Sequence, residues 1–105
     1  MTPEGKIKAK VREILAEHGV YLFQPVQWGM GATGLDFHCV APPDGKALFI
    51  ETKAPGKVPT ARQEVLIAKL RKMGAKVFVI SNDVTLAELK RWLDEHSRTS
   101  ATGKD

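Results

Sequence analysis

One cysteine, Cys39, stands in a chain of 105 residues. A lone thiol forms no intrachain disulfide and supplies no four-cysteine zinc site. A disulfide-stapled fold is excluded, and a reducing compartment is expected. No apolar run approaches the roughly 20 residues that a membrane helix needs. The first ten residues, MTPEGKIKAK, hold no apolar segment of the kind a secretory signal requires. Aromatic residues are few, at 7%, so the core must be largely aliphatic. An acidic surplus is lacking too. Lys and Arg number 16 against 12 Asp and Glu, a formal charge of +4, which suits a polyanionic partner without demanding one. No internal repeat is visible. What remains is an ordinary globular balance, 43% hydrophobic and 27% charged, at the length of one domain. Residues 1–96 are expected to form it, and residues 97–105 to be a disordered polar tail.

Thr2-Pro3-Glu4 reads as a helix start, with Thr as N-cap, Pro at the first helical position and a carboxylate in the first turn. Ile7, Val11, Ile14 and Leu15 continue it as one apolar stripe, and Gly19 ends it. Lys6, Lys8, Lys10 and Arg12 fall elsewhere on the helix, as a solvated face or a track for phosphates. Residues 20–26 and 35–41 read as strands, and Pro42-Pro43-Asp44-Gly45 as the turn into a third, residues 46–53. Thr60-Ala61-Arg62-Gln63 is a capping box opening a helix through Val65, Leu66, Leu70 and Met73 to Gly74. Residues 76–80 are a fourth strand. Thr85 to Glu88 reads as another capping box, before a last helix with Leu86, Leu89 and Leu93 inward. The order α-β-β-β-α-β-α implies an α/β fold. The first three strands are antiparallel, the fourth lies parallel to the third after a right-handed crossover, and helices flank this mixed four-stranded sheet.

Gly29-Met30-Gly31-Ala32-Thr33-Gly34 matches the G-x-G-x-x-G pattern of dinucleotide sites. Such a site needs the glycines to open a helix. Here they lead into a strand, and Pro42-Pro43 bars a helix beyond, so a nucleotide cofactor is excluded by context.

The chemistry lies in the hairpin of the second and third strands. A four-residue turn between Ala41 and Lys46 sets Asp36 directly opposite Glu51, and a two-residue turn sets it opposite Lys53. Any even turn puts all three on one sheet face, because side chains alternate with period two. Two carboxylates that close repel. A divalent cation between them removes that cost, and Mg²⁺ takes such oxygen ligands together with water and phosphate. Lys53, two residues past Glu51, can then reach a phosphate oxygen or the attacking water.

Gly34-Leu35-Asp36, then Glu51-Thr52-Lys53, then the helix opening with Gln63, resemble the PD-(D/E)XK nuclease superfamily, and within it the VRR-Nuc family in its short, stand-alone phage-type form. The likeness covers about residues 4–80. It implies a restriction-endonuclease-like fold and a Mg²⁺- or Mn²⁺-dependent deoxyribonuclease. Asp36, Glu51 and the Thr52 carbonyl would hold metal, with Glu4 a further candidate. Lys53 would position or polarise water, and Gln63 would orient it. Leu35 departs from the family's usual proline before the aspartate. Lys6, Lys10, Lys57 and Arg62 are the expected DNA-backbone contacts, and Trp28 is a candidate for stacking on a base. The phage-type form further implies a homodimer acting on branched DNA such as four-way junctions, in the bacterial host cytoplasm. The rival reading is a non-catalytic nucleic-acid-binding module on the same fold.

Overall fold

The structure, a computed structural model, describes residues 1–26 and 34–102. Trp28 and the glycine motif up to Thr33 lie outside the described residues. Three helices and four strands follow in the order α1 (Pro3–Glu17), β1 (Tyr21–Phe23), β2 (Phe37–Ala41), β3 (Lys46–Thr52), α2 (Ala61–Lys72), β4 (Lys76–Ile80) and α3 (Asp83–Thr102). The strands lie side by side in sequence order. β1–β2 and β2–β3 are antiparallel and β3–β4 is parallel. This is the expected α/β architecture.

Local chemistry explains where most elements start and stop. The Thr2 hydroxyl accepts the Gly5 N–H at 3.0 Å, and Pro3 takes the first helical position of α1. Gly19 follows the helix at φ +67°, a conformation that Cβ-bearing residues resist. The Thr60–Gln63 capping box opens α2 as the sequence predicts. Residues 42–45 form the four-residue turn, and Ala41 pairs with Lys46 across it.

Alternation divides the sheet into two faces. One carries Phe37, Cys39, Ala41, Leu48, Ile50 and Ile80, packed with Ile7, Val11 and Leu15 of α1 and Leu86, Leu89 and Leu93 of α3. The other carries Phe49, Val77 and Val79, covered by Leu66, Ile67 and Leu70 of α2. Two histidine–aspartate pairs also tether α3: His18 to Asp94 at 2.7 Å, and His96 to Asp44 at 2.8 Å.

Several expectations are corrected. The first strand is three residues, not seven, and β2 starts at Phe37 rather than Leu35. The apolar stripe of α2 is Leu66, Ile67 and Leu70, while Val65 and Met73 are exposed. The N-terminal box of α3 sits one turn earlier than Thr85–Glu88. Thr85 N–H donates to Asn82 Oδ1 at 2.9 Å, and Asn82 N–H donates back to Thr85 Oγ1 at 3.1 Å. Residues 97–102, expected as tail, continue α3.

Candidate active site

The β2–β3 ladder ends with Phe37 opposite Ile50, so the next position outward sets Asp36 opposite Glu51. The Asp36 N–H donates to Glu51 Oε1 at 3.2 Å. Asp36 Oδ2 accepts both the Thr52 N–H at 2.8 Å and the Thr52 hydroxyl at 2.7 Å. The two carboxylates are therefore clamped beside each other by Thr52 and by the Asp36 backbone. Lys53 Nζ stands 3.3 Å from Glu51 Oε2. The Gln63 side-chain amide donates to that same oxygen at 2.9 Å.

Gln63 reaches the site for a reason visible in its spacing. It lies three, four and seven residues before Leu66, Ile67 and Leu70, so it occupies the N-terminal end of the inward stripe of α2. Its side-chain oxygen caps the Thr60 N–H at 2.9 Å while its amide group holds Glu51. One side chain fixes both a helix start and a site carboxylate.

Glu51 is buried, with 3% of its surface exposed. Burial, and after it the negative charge of Asp36, raise its pKa against the opposing pull of Lys53. The like-charge repulsion expected from the hairpin is thus present in the folded protein. The hydrogen bonds from Thr52, Asp36 and Gln63 offset it.

The structure brings Asp36, Glu51, Thr52, Lys53 and Gln63 together, and leaves other candidates apart. Among the described residues, Glu4 is linked to the site through Lys8, whose Nζ lies 3.5 Å from Glu4 Oε2 and 3.7 Å from Asp36 Oδ1. Among the described residues, no three His, Cys, Asp or Glu side chains converge into a metal-binding cluster. A metal set here would comprise two carboxylates completed by backbone oxygen and water. Lys10 pairs with Asp83 at 3.5 Å, not with the site. Lys6, Lys57 and Arg62 are exposed. Lys8, expected only on the basic face of the first helix, stands instead beside Asp36. It lies three and seven residues before Val11 and Leu15, on the buried stripe of α1, and that spacing was the available signal.

The comparisons with known proteins follow that geometry. No family model matches the chain. A solved structure titled "VRR_NUC domain" superposes with a TM-score of 0.72 at 25% identity, covering 85% of this chain and 95% of that one. The chain has the VRR_NUC fold. A curated protein named "Putative nuclease p44", from Acyrthosiphon pisum secondary endosymbiont phage 1, is 40% identical over 52 residues, which is 50% of this chain. The match spans only 56% of that relative's length. Within the VRR_NUC fold described above, the clustered residues are those of the Asp36, Glu51-Thr52-Lys53 and Gln63 pattern. Among the described residues, no helix is long and apolar enough to cross a membrane.

Proposed function

We propose that this chain is a divalent-metal-dependent endonuclease that hydrolyses DNA phosphodiester bonds. The observation that carries the reading is the clamped pair Asp36–Glu51 with Lys53 held 3.3 Å from Glu51. The VRR_NUC fold and the nuclease name of the phage relative support it.

The donor set fits a hard cation. Asp36 Oδ2 is occupied by two hydrogen bonds, whereas Oδ1 lies 3.7 Å from the Lys8 ammonium. The Lys53 N–H donates to the Ile80 carbonyl on β4 at 2.9 Å. Successive strand residues direct their backbone groups to opposite sides, so Thr52 directs its N–H and C=O toward β2 and Asp36. Asp36, Glu51 and the Thr52 carbonyl would therefore hold Mg²⁺ or Mn²⁺. When bound, such a cation supplies Lewis-acid polarisation of the phosphate and of the attacking water.

The protein's own groups do the rest. Thr52 fixes the Asp36 rotamer and Gln63 fixes that of Glu51, so neither carboxylate must be ordered when substrate arrives. Lys53 places a positive charge beside Glu51, where it can orient the nucleophilic water or contact the scissile phosphate. The N-terminus of α2 lies at the site through Gln63, and its dipole favours the approach of an anionic backbone.

The phage-type resemblance extends the proposal to a homodimer acting on branched DNA. The non-catalytic alternative has no use for a buried glutamate set against an aspartate at a cost in stability. The test is to incubate the protein with linear, nicked, flapped and four-way-junction DNA in Mg²⁺, Mn²⁺ or EDTA. Cleavage in either metal and none in EDTA is the expected result. Binding without cleavage on every substrate would establish the non-catalytic module instead.

A further inference from the structure

Each carboxylate of the site has its own lysine. Glu51 is paired with Lys53 and Asp36 with Lys8. The second pairing has no part in the motif that suggested a nuclease. Lys8 comes from α1, and it bridges two acids, Glu4 and Asp36. Its distances of 3.5 and 3.7 Å are longer than the roughly 2.7–2.9 Å of a charge-assisted hydrogen bond. The ammonium is therefore shared between the two acids and tightly bonded to neither. The two faces of Asp36 differ accordingly: Oδ2 is locked by Thr52, and Oδ1 meets a loosely held cation.

We propose that Lys8 is a positioning residue of the site, the internal counter-ion that stands at Asp36 Oδ1 in the metal-free protein and shifts to the substrate phosphate when a divalent cation takes that oxygen. This rests on the nuclease reading above. A free Asp36 carboxylate beside Glu51 and Glu4 would be a concentrated negative charge, and the Lys8 ammonium neutralises part of it. A divalent cation and the ammonium repel each other when both approach the same oxygen, so the two compete. The lysine has somewhere to go. Lys8 Nζ stands 3.7 Å from Asp36 Oδ1, so a phosphate drawn to a cation held there would come within reach of the Lys8 ammonium. Its flexible four-carbon stem lets the ammonium follow the phosphate without any shift of α1.

The test is calorimetric titration of Mn²⁺ into the intact protein, without DNA, for wild type, Lys8→Met and Lys8→Arg. Lys8→Met keeps the stem and removes the competitor. It should bind Mn²⁺ about two- to fivefold more tightly, the range set by deleting one partly exposed ion-pair partner. Lys8→Arg keeps the charge and should stay near wild type. A supporting side chain with no charge role would loosen metal binding on removal, so the sign of the change separates the two roles. Lys8→Gln serves as a second variant should Lys8→Met not fold. In a parallel DNA-binding assay, Lys8→Met should lose affinity in Ca²⁺ and keep it in EDTA. Unchanged or weaker Mn²⁺ binding in a folded, charge-removed variant overturns the proposal while the nuclease reading stands. Equal loss of DNA affinity with and without Ca²⁺ also overturns it, because Lys8 would then be an ordinary backbone contact. Absence of Mn²⁺ binding in wild type and variant alike overturns both readings.

Discussion

On one face of the sheet, Phe37, Leu48, Ile50 and Ile80 expose no surface at all beneath α1 and α3. On the other, α2 covers β3 and β4, and Tyr21, Phe23 and Val40 remain 65%, 53% and 48% exposed. The first face is packed mainly with aliphatic and aromatic side chains. The second holds a small cluster around Ile67 and carries Glu51 at the end of β3. The difference is a division of labour. A full core on one side supplies the apolar burial that dominates stability. That reserve lets the other side keep a buried carboxylate whose charge works against folding.

The comparison breaks most visibly in activity. Glu51→Gln should lower metal-dependent cleavage by more than about a hundredfold, since several kcal/mol of transition-state stabilisation are at stake. The fold and DNA binding should survive, because neither depends on the second face carrying that charge. A single-turnover nuclease assay beside a gel-shift titration checks both halves. Loss of cleavage and binding together, in a folded variant, would mean the site is not separable from the affinity surface.

Stability should show the opposite asymmetry. Leu48→Ala, on the packed face, should cost about 2–5 kcal/mol in urea denaturation. Val40→Ala, on the open face, should stay within about 0.5 kcal/mol. Equal costs would show that something covers the open face in solution.

Protonation sharpens the same point. The Glu51 pKa is raised by burial and by Asp36. A raised carboxylate pKa means the folded state binds the proton more tightly than the unfolded state. The ionisation penalty is therefore absent below the unfolded value of 4.5 and is in force once pH has risen through the folded value. In metal-free buffer, Glu51→Gln should raise the melting temperature at pH 7 and lose that advantage toward pH 4. A gain that is the same at both pH values would remove the charge as its cause.

The smallest effect belongs to the packed face. His18 presents Nδ1 to the Ile14 carbonyl and Nε2 to Asp94. Burial works against its charge, but these two acceptors outweigh burial and raise the pKa. Its contribution is fully present below 6.5 and is lost as pH rises through the folded value. His18→Gln should lower the melting temperature at pH 6 by a few degrees at most and have less effect at pH 8.5.

How much of this was legible in the sequence depended on the length scale of the signal. Turn chemistry and period-two alternation act over a few residues. They place a turn at residues 42–45 and put Asp36, Glu51 and Lys53 on one face before any tertiary contact is known, while the choice of Glu51 rather than Lys53 opposite Asp36 waits for the observed register. The caps at Thr2 and Thr60 are equally local. Packing decides the rest. Val65 and Ile67 are both apolar, and the way α2 docks on β3 and β4 decides that Ile67 is the one buried. Lys8 hides among four basic residues on α1, and its distinction is that α1 docks with Glu4, Lys8, Val11 and Leu15 toward the sheet. At the chain's other end, Ser, Thr and Arg after His96 are weak helix signals, yet a helix already nucleated adds residues cheaply.

Cys39 gives the molecule a clock. It is the only thiol in the chain, 4% exposed, and burial pushes its pKa up to about 12. In the folded state it is therefore almost wholly protonated and out of reach of a thiol reagent. It sits on β2 directly opposite Leu48 of β3, three residues from Asp36. Labelling has to wait until β2 comes away from its neighbours. Its rate thus times the opening of the strand pair that holds the two carboxylates, without any residue being changed in the protein. A cation bridging Asp36 and Glu51 would staple that pair, and occupancy of the site would be read as a slower reaction at a sulfur atom that touches neither ligand nor substrate.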